Sequence, residues 1–251
     1  MRIPRFYDPQ PLAEGMLINL GETATQHALK ALRLREGDAL SLFNNDGHEY
    51  RAEVVATGKN QMQVKIINAK FCERESPLKI EIGQALSRGE RMDYAIQKST
   101  EMGCNSISPL FTERCEVKLS HERQDKRQRH WQQVAISACE QSLRCIVPDV
   151  HSPRPLTEWL QDVRADLKLV LHHHSAQPLA DFPPPSSVAL LIGPEGGLTE
   201  TEVELAIAQG FYPVALGPRV MRTETAPVVA ASVLHYLWGD LGPTTQQDSA
   251  K

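Results

Sequence analysis

Residues 190–198 read LLIGPEGGL, and residues 216–226 read LGPRVMRTETA. In the first stretch an apolar run empties into Gly-Pro-Glu-Gly-Gly. In the second, the run YPVALG (212–217) empties into another Gly-Pro turn that passes through Arg-Thr-Glu-Thr to a helix. Short apolar runs bounded by Gly and Pro are the signature of buried strands, and Thr199 with Glu202 three residues on is a capping-box pattern that opens a helix. Strand, loop and helix twice over describe a parallel α/β sheet whose loops leave the carboxyl ends of its strands, where ligands bind. Glycine lets the backbone approach such a ligand, and Glu195, Arg222 and Glu224 set charges beside it.

The same alternation extends outward from this pair. KIEIGQAL (79–86), SISPLF (106–111), LKLVLHH (167–173) and SVALLIG (187–193) read as strands. Helices are expected over 91–103, 121–143, 156–163, 199–209 and 225–238. Before residue 73 the character changes: MLINL, DALSLFN, EYRAEVVATG and QMQVKIINA form short strands, with a tight turn at Asn44-Asn45-Asp46-Gly47 and one helix over 23–33. Strands at that spacing suggest a small barrel. The polar stretch Glu73–Pro77 reads as a linker, giving a first domain over 1–72, an α/β domain over 73–242 and a frayed polar tail over 243–251.

Composition excludes more than it selects. Apolar residues make up 41% and charged residues 23%, with a formal charge of −4, an ordinary globular balance without the signature of a polycation. The N-terminus lacks an apolar leader and no run is long enough to span a membrane, so a cytoplasmic protein is expected. Five cysteines without a C-x-x-C pair fit reduced, buried thiols rather than a disulfide frame or a zinc site. His172, His173 and His174 cannot all point the same way on a strand and have no partner ligands at metal spacing, so no metal is expected.

The glycine loops match neither the dinucleotide fingerprint nor the triphosphate loop with its lysine. They resemble, instead, the RsmE family of 16S ribosomal RNA uridine-N3 methyltransferases, of the SPOUT class. The resemblance is carried by IGPEGGLT, LGPRVMRTETA, the segment Gln97–Gly103 and ACEQSLR at 138–144, with RFY, LRLREGD and DGHEY agreeing in the first domain. It implies a trefoil-knot α/β methyltransferase domain with a mostly parallel sheet behind a PUA-like RNA-binding barrel, a homodimer, and S-adenosylmethionine as the donor. By motif matching, Leu171, the loop 192–197 and the loop 216–226 surround that cofactor. Backbone groups of Gly193, Gly197, Leu216 and Met221 hold adenine and ribose, and Leu171, Ile192, Val220 and Met221 pack on them. His172, Pro194, Gly196, Gly217, Arg222, Thr223, Thr225 and Ala226 complete the surround.

Methyl transfer from a sulfonium needs alignment and a competent nucleophile. N3 of uracil carries an imide proton, so a base or a cation that stabilises the anion over O2 and O4 is required. Arg222 is the candidate cation and Glu224 or Glu195 the candidate base; the alternative is that Arg222 and Glu224 pair only to brace the loop. Glu140, Gln141 and Arg144 form a polar helix face that is either solvated or near the site. For 16S rRNA or the small ribosomal subunit, Arg2, Arg5, Lys30, Arg33 and Arg35 concentrate charge in the first domain, with Arg88, Arg91, Arg114 and Lys118 at element ends of the second. Other classes left open are a non-catalytic RNA-binding protein of this fold, a SPOUT enzyme acting on another nucleotide, and a nucleotide- or acyl-group enzyme.

Overall fold

The structure, a computed structural model, describes residues 3–117, 119–172 and 178–242. Arg2, Lys118, His173, His174 and the 243–251 tail lie outside the described residues. The chain divides into two compact units, one of residues 1–75 with 139–147 and one of residues 76–138 with 148–251.

The first unit is built on a five-stranded sheet of order β1-β3-β4-β5-β2. Its strands are β1 (Arg5–Tyr7), β2 (Leu17–Asn19), β3 (Ala39–Phe43), β4 (His48–Gly58) and β5 (Gln61–Phe71). β1 runs parallel to β3, and every other pairing is antiparallel. In β4, Tyr50, Ala52 and Val54 are buried while Arg51, Glu53 and Val55 face outward, the period of two that a sheet with one covered face demands. The turn from β3 to β4 has Asn45 at φ +70° and Gly47 at φ +84°, left-handed positions that suit Asn and Gly. Helix α1 (Glu22–Gln26) passes directly into a wide helical turn, His27–Ala31, that buries Ala28.

Residues 139–147 join this unit through buried polar bonds. Arg5 donates to Glu49 Oε1 (3.0 Å), to the Cys139 carbonyl (2.7 Å) and to Cys145 Sγ (3.1 Å), and its guanidinium lies 4.0 Å from the Phe43 ring centre. Arg144 makes two bonds to the Glu75 carboxylate (3.1 and 2.5 Å), and Glu140 accepts the Tyr7 N–H (3.0 Å). Of the Glu140, Gln141 and Arg144 face, Arg144 is therefore buried and Glu140 half-buried, whereas Gln141 is exposed. Burial pushes the Cys139 and Cys145 thiols up to about 12, so both stay protonated and inert.

The second unit carries a seven-stranded parallel sheet. Its strands are β6 (Lys79–Ala85), β7 (Ser106–Phe111), β8 (Asp149–Val150), β9 (Arg154–Pro155), β10 (Leu167–Leu171), β11 (Ser187–Ile192) and β12 (Phe211–Val214). The order is β12-β10-β11-β6-β7-β8, with β9 also paired to β7. Helices α2 (Glu90–Glu101), α3 (His121–Ser142), α4 (Leu156–Asp162), α5 (Glu200–Ala208) and α6 (Ala226–Trp238) alternate with the strands. β11 is buried at every residue from Val188 to Ile192, as a strand covered on both faces must be. One face packs Ala189 and Leu191 with Trp159 of α4 and Val203 of α5. Gly83 of β6 lies directly beneath Trp159: a Cβ there would fall 2.6 Å from the indole ring.

Candidate functional site

A parallel sheet gathers the loops after β6, β7, β10, β11 and β12 at one edge. Register places Gln84 opposite Ile192, and Leu171 opposite Val214. The His172 N–H continues the ladder to the Val214 carbonyl at 2.9 Å.

The first glycine loop is a closed turn. The Gly197 N–H reaches the Pro194 carbonyl at 2.8 Å, and Gly197 has φ +69°. Gly193 cannot be replaced without displacement, because a Cβ would meet the Leu198 nitrogen at 2.9 Å. Arg114, just beyond β7, donates to the Gly196 carbonyl at 2.9 Å. Thr199 and Glu202 form the expected reciprocal capping box, and Glu202 also accepts the Glu113 N–H at 2.8 Å.

The second loop turns at Gly217 (φ +86°) and leaves Val220 83% exposed. Leu216 and Met221 are half-buried, whereas Ile192, Pro194, Thr223 and Ala226 are buried. The Arg222 carbonyl accepts the N–H groups of Thr225 (2.9 Å) and Ala226 (3.0 Å), so its backbone starts α6 while its side chain stays exposed. The Arg222 side chain is exposed and that of Glu224 half-buried.

Thr223 joins the two loops. Its hydroxyl donates to the Gly193 carbonyl (2.7 Å) and accepts from Gln84 Nε2 (2.9 Å), tying β6, the first loop and the second loop in one chain of bonds. Beside it Gln84 Oε1 and Glu224 Oε2, and just after β6 and β7 Ser87 Oγ and Thr112 Oγ1, are enclosed and meet no partner among the described residues. Buried polar atoms in that condition are uncommon in native structures. Gln84, Ser87 and Thr112 were missed by motif reading, although a glutamine inside the apolar run KIEIGQAL was the available signal.

Glu195 occupies a different environment. Arg91 of α2 donates to its Oε1 at 2.7 Å, and the Arg88 N–H adds a bond at 3.4 Å. Burial pushes the carboxyl up, but its own backbone N–H, Arg91 and Arg88 outweigh that and hold it below the ordinary carboxylate value. Reciprocally, the bond to Glu195 pushes Arg91 up, with a smaller contribution from the charge of Glu224. A carboxylate held ionised in this way is a poor base, so Glu224 is the better of the two candidates. Arg88, Arg91, Arg114, Glu116 and Glu195 line an open cleft of about 610 Å³ beside the first loop.

Of the expected RNA contacts, Lys30, Arg33 and Arg35 are exposed, as are Arg88 and Arg114. Arg5 is not: it is 7% exposed and its guanidinium is fully engaged inside the first unit, so it is a structural residue. Among the described residues there is no cluster of metal-ligating side chains, and no helix is long and apolar enough to cross a membrane.

Residues 74–235 match the model of the RNA methyltransferase domain family, and residues 20–67 match that of the RNA methyltransferase PUA domain. The ribosomal RNA small subunit methyltransferase E of Buchnera aphidicola from Schizaphis graminum is 35% identical, over 96% of this chain and 98% of its own. That of Bacillus subtilis is 33% identical, over 90% and 93%. The chain belongs to the ribosomal RNA small subunit methyltransferase E family. Two solved structures agree with this assignment. A Legionella pneumophila methyltransferase with bound S-adenosylmethionine is 42% identical with a TM-score of 0.93, over 96% of this chain and 100% of that one. A Neisseria gonorrhoeae member of the family, also bound to S-adenosylmethionine, is 38% identical with a TM-score of 0.90, over 95% and 99%.

Proposed function

We propose that this chain methylates N3 of a uridine in 16S ribosomal RNA, with S-adenosylmethionine as donor. The observation that carries the reading is the pair of glycine loops tied through Thr223 at the carboxyl edge of a parallel sheet, in a chain of this family. The residues fit the cofactor: Gly197 and Gly217 leave open space where a Cβ would stand, and Val220 offers an uncovered apolar surface. When bound, S-adenosylmethionine supplies an electrophilic methyl group on a sulfonium that departs neutral.

The side chains then act on the acceptor. Glu224 takes the imide proton, its Oε2 being enclosed and without a competing donor. Arg222, exposed at the start of α6, stabilises the charge that spreads to O2 and O4. Leu171, His172, Ile192–Gly197 and Leu216–Ala226 wall the cofactor, and Glu195 pins the first loop to Arg91. Lys30, Arg33 and Arg35 in a PUA-like barrel over 1–72, with Arg88 and Arg114 in the catalytic domain over 73–242, face the RNA phosphates. A trefoil knot formed by the C-terminal part of the sheet is what the resemblance to the SPOUT class implies. Pairing into a homodimer is supported by the apolar surface of Tyr236, Leu237 and Leu241, exposed at the end of α6 and just beyond it. A cytoplasmic location follows from the substrate.

Single-turnover methylation of small ribosomal subunits tests the roles. Arg222→Ala is expected to slow transfer about 10²- to 10³-fold at saturating cofactor. Glu224→Gln is expected to slow transfer about 10²- to 10⁴-fold, the loss expected for removal of a general base. Transfer at the wild-type rate by Arg222→Ala would remove Arg222 from the mechanism.

A further inference from the structure

The second unit has an open groove of about 520 Å³ that shares no residue with the glycine loops and is lined by Leu119, Arg123, Lys126, Arg127 and His130. Residues 123, 126, 127 and 130 follow the three- and four-residue spacing of one face of α3. That spacing sorts the mixed charges of HERQDKRQRH (121–130): Arg123, Lys126 and Arg127 line the groove, whereas Glu122 and Asp125 do not. All three cations are exposed. No carboxylate is among the described lining residues. The cleft beside the first glycine loop, in contrast, sets Glu116 against Arg88 (2.9 Å) and Glu195 against Arg91 (2.7 Å).

The helix that carries these cations is held on both flanks. His130 Nε2 meets Asp93 Oδ2 of α2 at 2.8 Å, and the Trp131 Nε1–H donates to Asp93 Oδ1 at 3.1 Å. Gln128 and Gln132 donate to the Val150 and Pro148 carbonyls at 2.9 and 3.0 Å. From 123 to 130 the stripe is about 10 Å long, at roughly 1.5 Å per residue. It is a row of cations on a fixed element.

We propose that this groove is a phosphate-binding surface for ribosomal RNA, by which α3 holds the sugar–phosphate backbone of the substrate apart from the nucleotide being methylated. This rests on the reading of the chain as a methyltransferase of ribosomal RNA. Guanidinium and ammonium groups neutralise phosphates and release their counterions, so the lining suits a polyanion. A docked protein segment needs apolar anchors, and among the described residues Leu119 is the groove's only apolar one. The His130 imidazole is the only ring in that lining, and it is engaged with Asp93, so bases are not stacked there. The contact therefore positions the RNA without reading its sequence. In a chain of net charge −4, such a local row also steers a polyanionic substrate.

Binding of protein-free 16S rRNA and of small ribosomal subunits lacking the modification, each followed over a series of salt concentrations, tests this. Arg123→Gln, Lys126→Gln and Arg127→Gln combined are expected to lower the log–log slope by about 2 to 3 for both probes and to weaken binding about tenfold or more at physiological salt. In single-turnover methylation the triple variant is expected to keep its maximal rate and to need more subunits to reach half of it. Arg129→Gln, on the same helix but outside the groove, is expected to keep the wild-type slope. An unchanged slope in the triple variant, or an equal fall per charge in Arg129→Gln, overturns the proposal. Weaker binding to the assembled subunit alone would assign the groove to a ribosomal protein, and a changed mass in light scattering would assign it to a second copy of this chain; either overturns it. If the triple variant does not fold, Arg127→Gln alone decides: a slope lower by about 1 supports the proposal, and an unchanged slope overturns it. Failure of the wild-type chain to bind either RNA probe would instead strike the methyltransferase reading itself.

Discussion

Glu195 and Glu224 stand at the same sheet edge and have opposite surroundings. Glu195 has Arg91 and the Arg88 N–H, whereas Glu224 Oε2 has none of the described donors. Sequence placed both beside the ligand but could not separate them, because which carboxylate meets a guanidinium depends on α2, about a hundred residues away in the chain. Arg5 failed for the same reason: counting positive charges says nothing of whether each is already paired. The Glu195 brace has a pH signature. Its folded value lies below the ordinary 4.5, so the stabilisation is complete above that pH and is lost as pH falls through the folded value. Thermal melts of wild type and Glu195→Gln should differ by a small, constant amount above about pH 4.5 and converge in more acid solution. An offset that persists unchanged to pH 3 would contradict the brace.

At the scale of elements, the strands and helices were legible because burial imposes period and composition. SVALLIG is covered on both faces and reads as continuous apolar sequence, and Thr199-x-x-Glu202 announced the helix that it caps. The two-residue strands β8 and β9 are too short to carry a period, so neither was foreseeable as a strand. Gly83 illustrates a constraint visible only in packing. Its missing Cβ admits the Trp159 ring, which is held in turn by its Nε1–H to Glu81 at 2.8 Å. Gly83→Ala is expected to cost about 1–3 kcal/mol in urea unfolding, because a strand centre cannot move away from a locked indole. Wild-type stability in that variant would show the ring to be loosely held.

For the whole molecule, a net charge of −4 gives the chain no general attraction to RNA, so binding has to come from local clusters. Removing the exposed Lys30, Arg33 and Arg35 together should lower the salt dependence of RNA binding, reducing the log–log slope by about 2 to 3 while leaving cofactor affinity intact. An unchanged slope would place the RNA elsewhere. The division into units was only partly readable, since nothing in the periodicity of the 121–142 helix shows that residues 139–147 pack with the first unit. The central claim is a reaction, and one measurement addresses it directly. Small ribosomal subunits lacking the modification are incubated with the protein and S-adenosylmethionine labelled in its methyl group, and the label is mapped by mass spectrometry of nuclease digests. A single labelled nucleoside, 3-methyluridine, is expected in 16S rRNA; label on another base, or none, would contradict the proposed reaction.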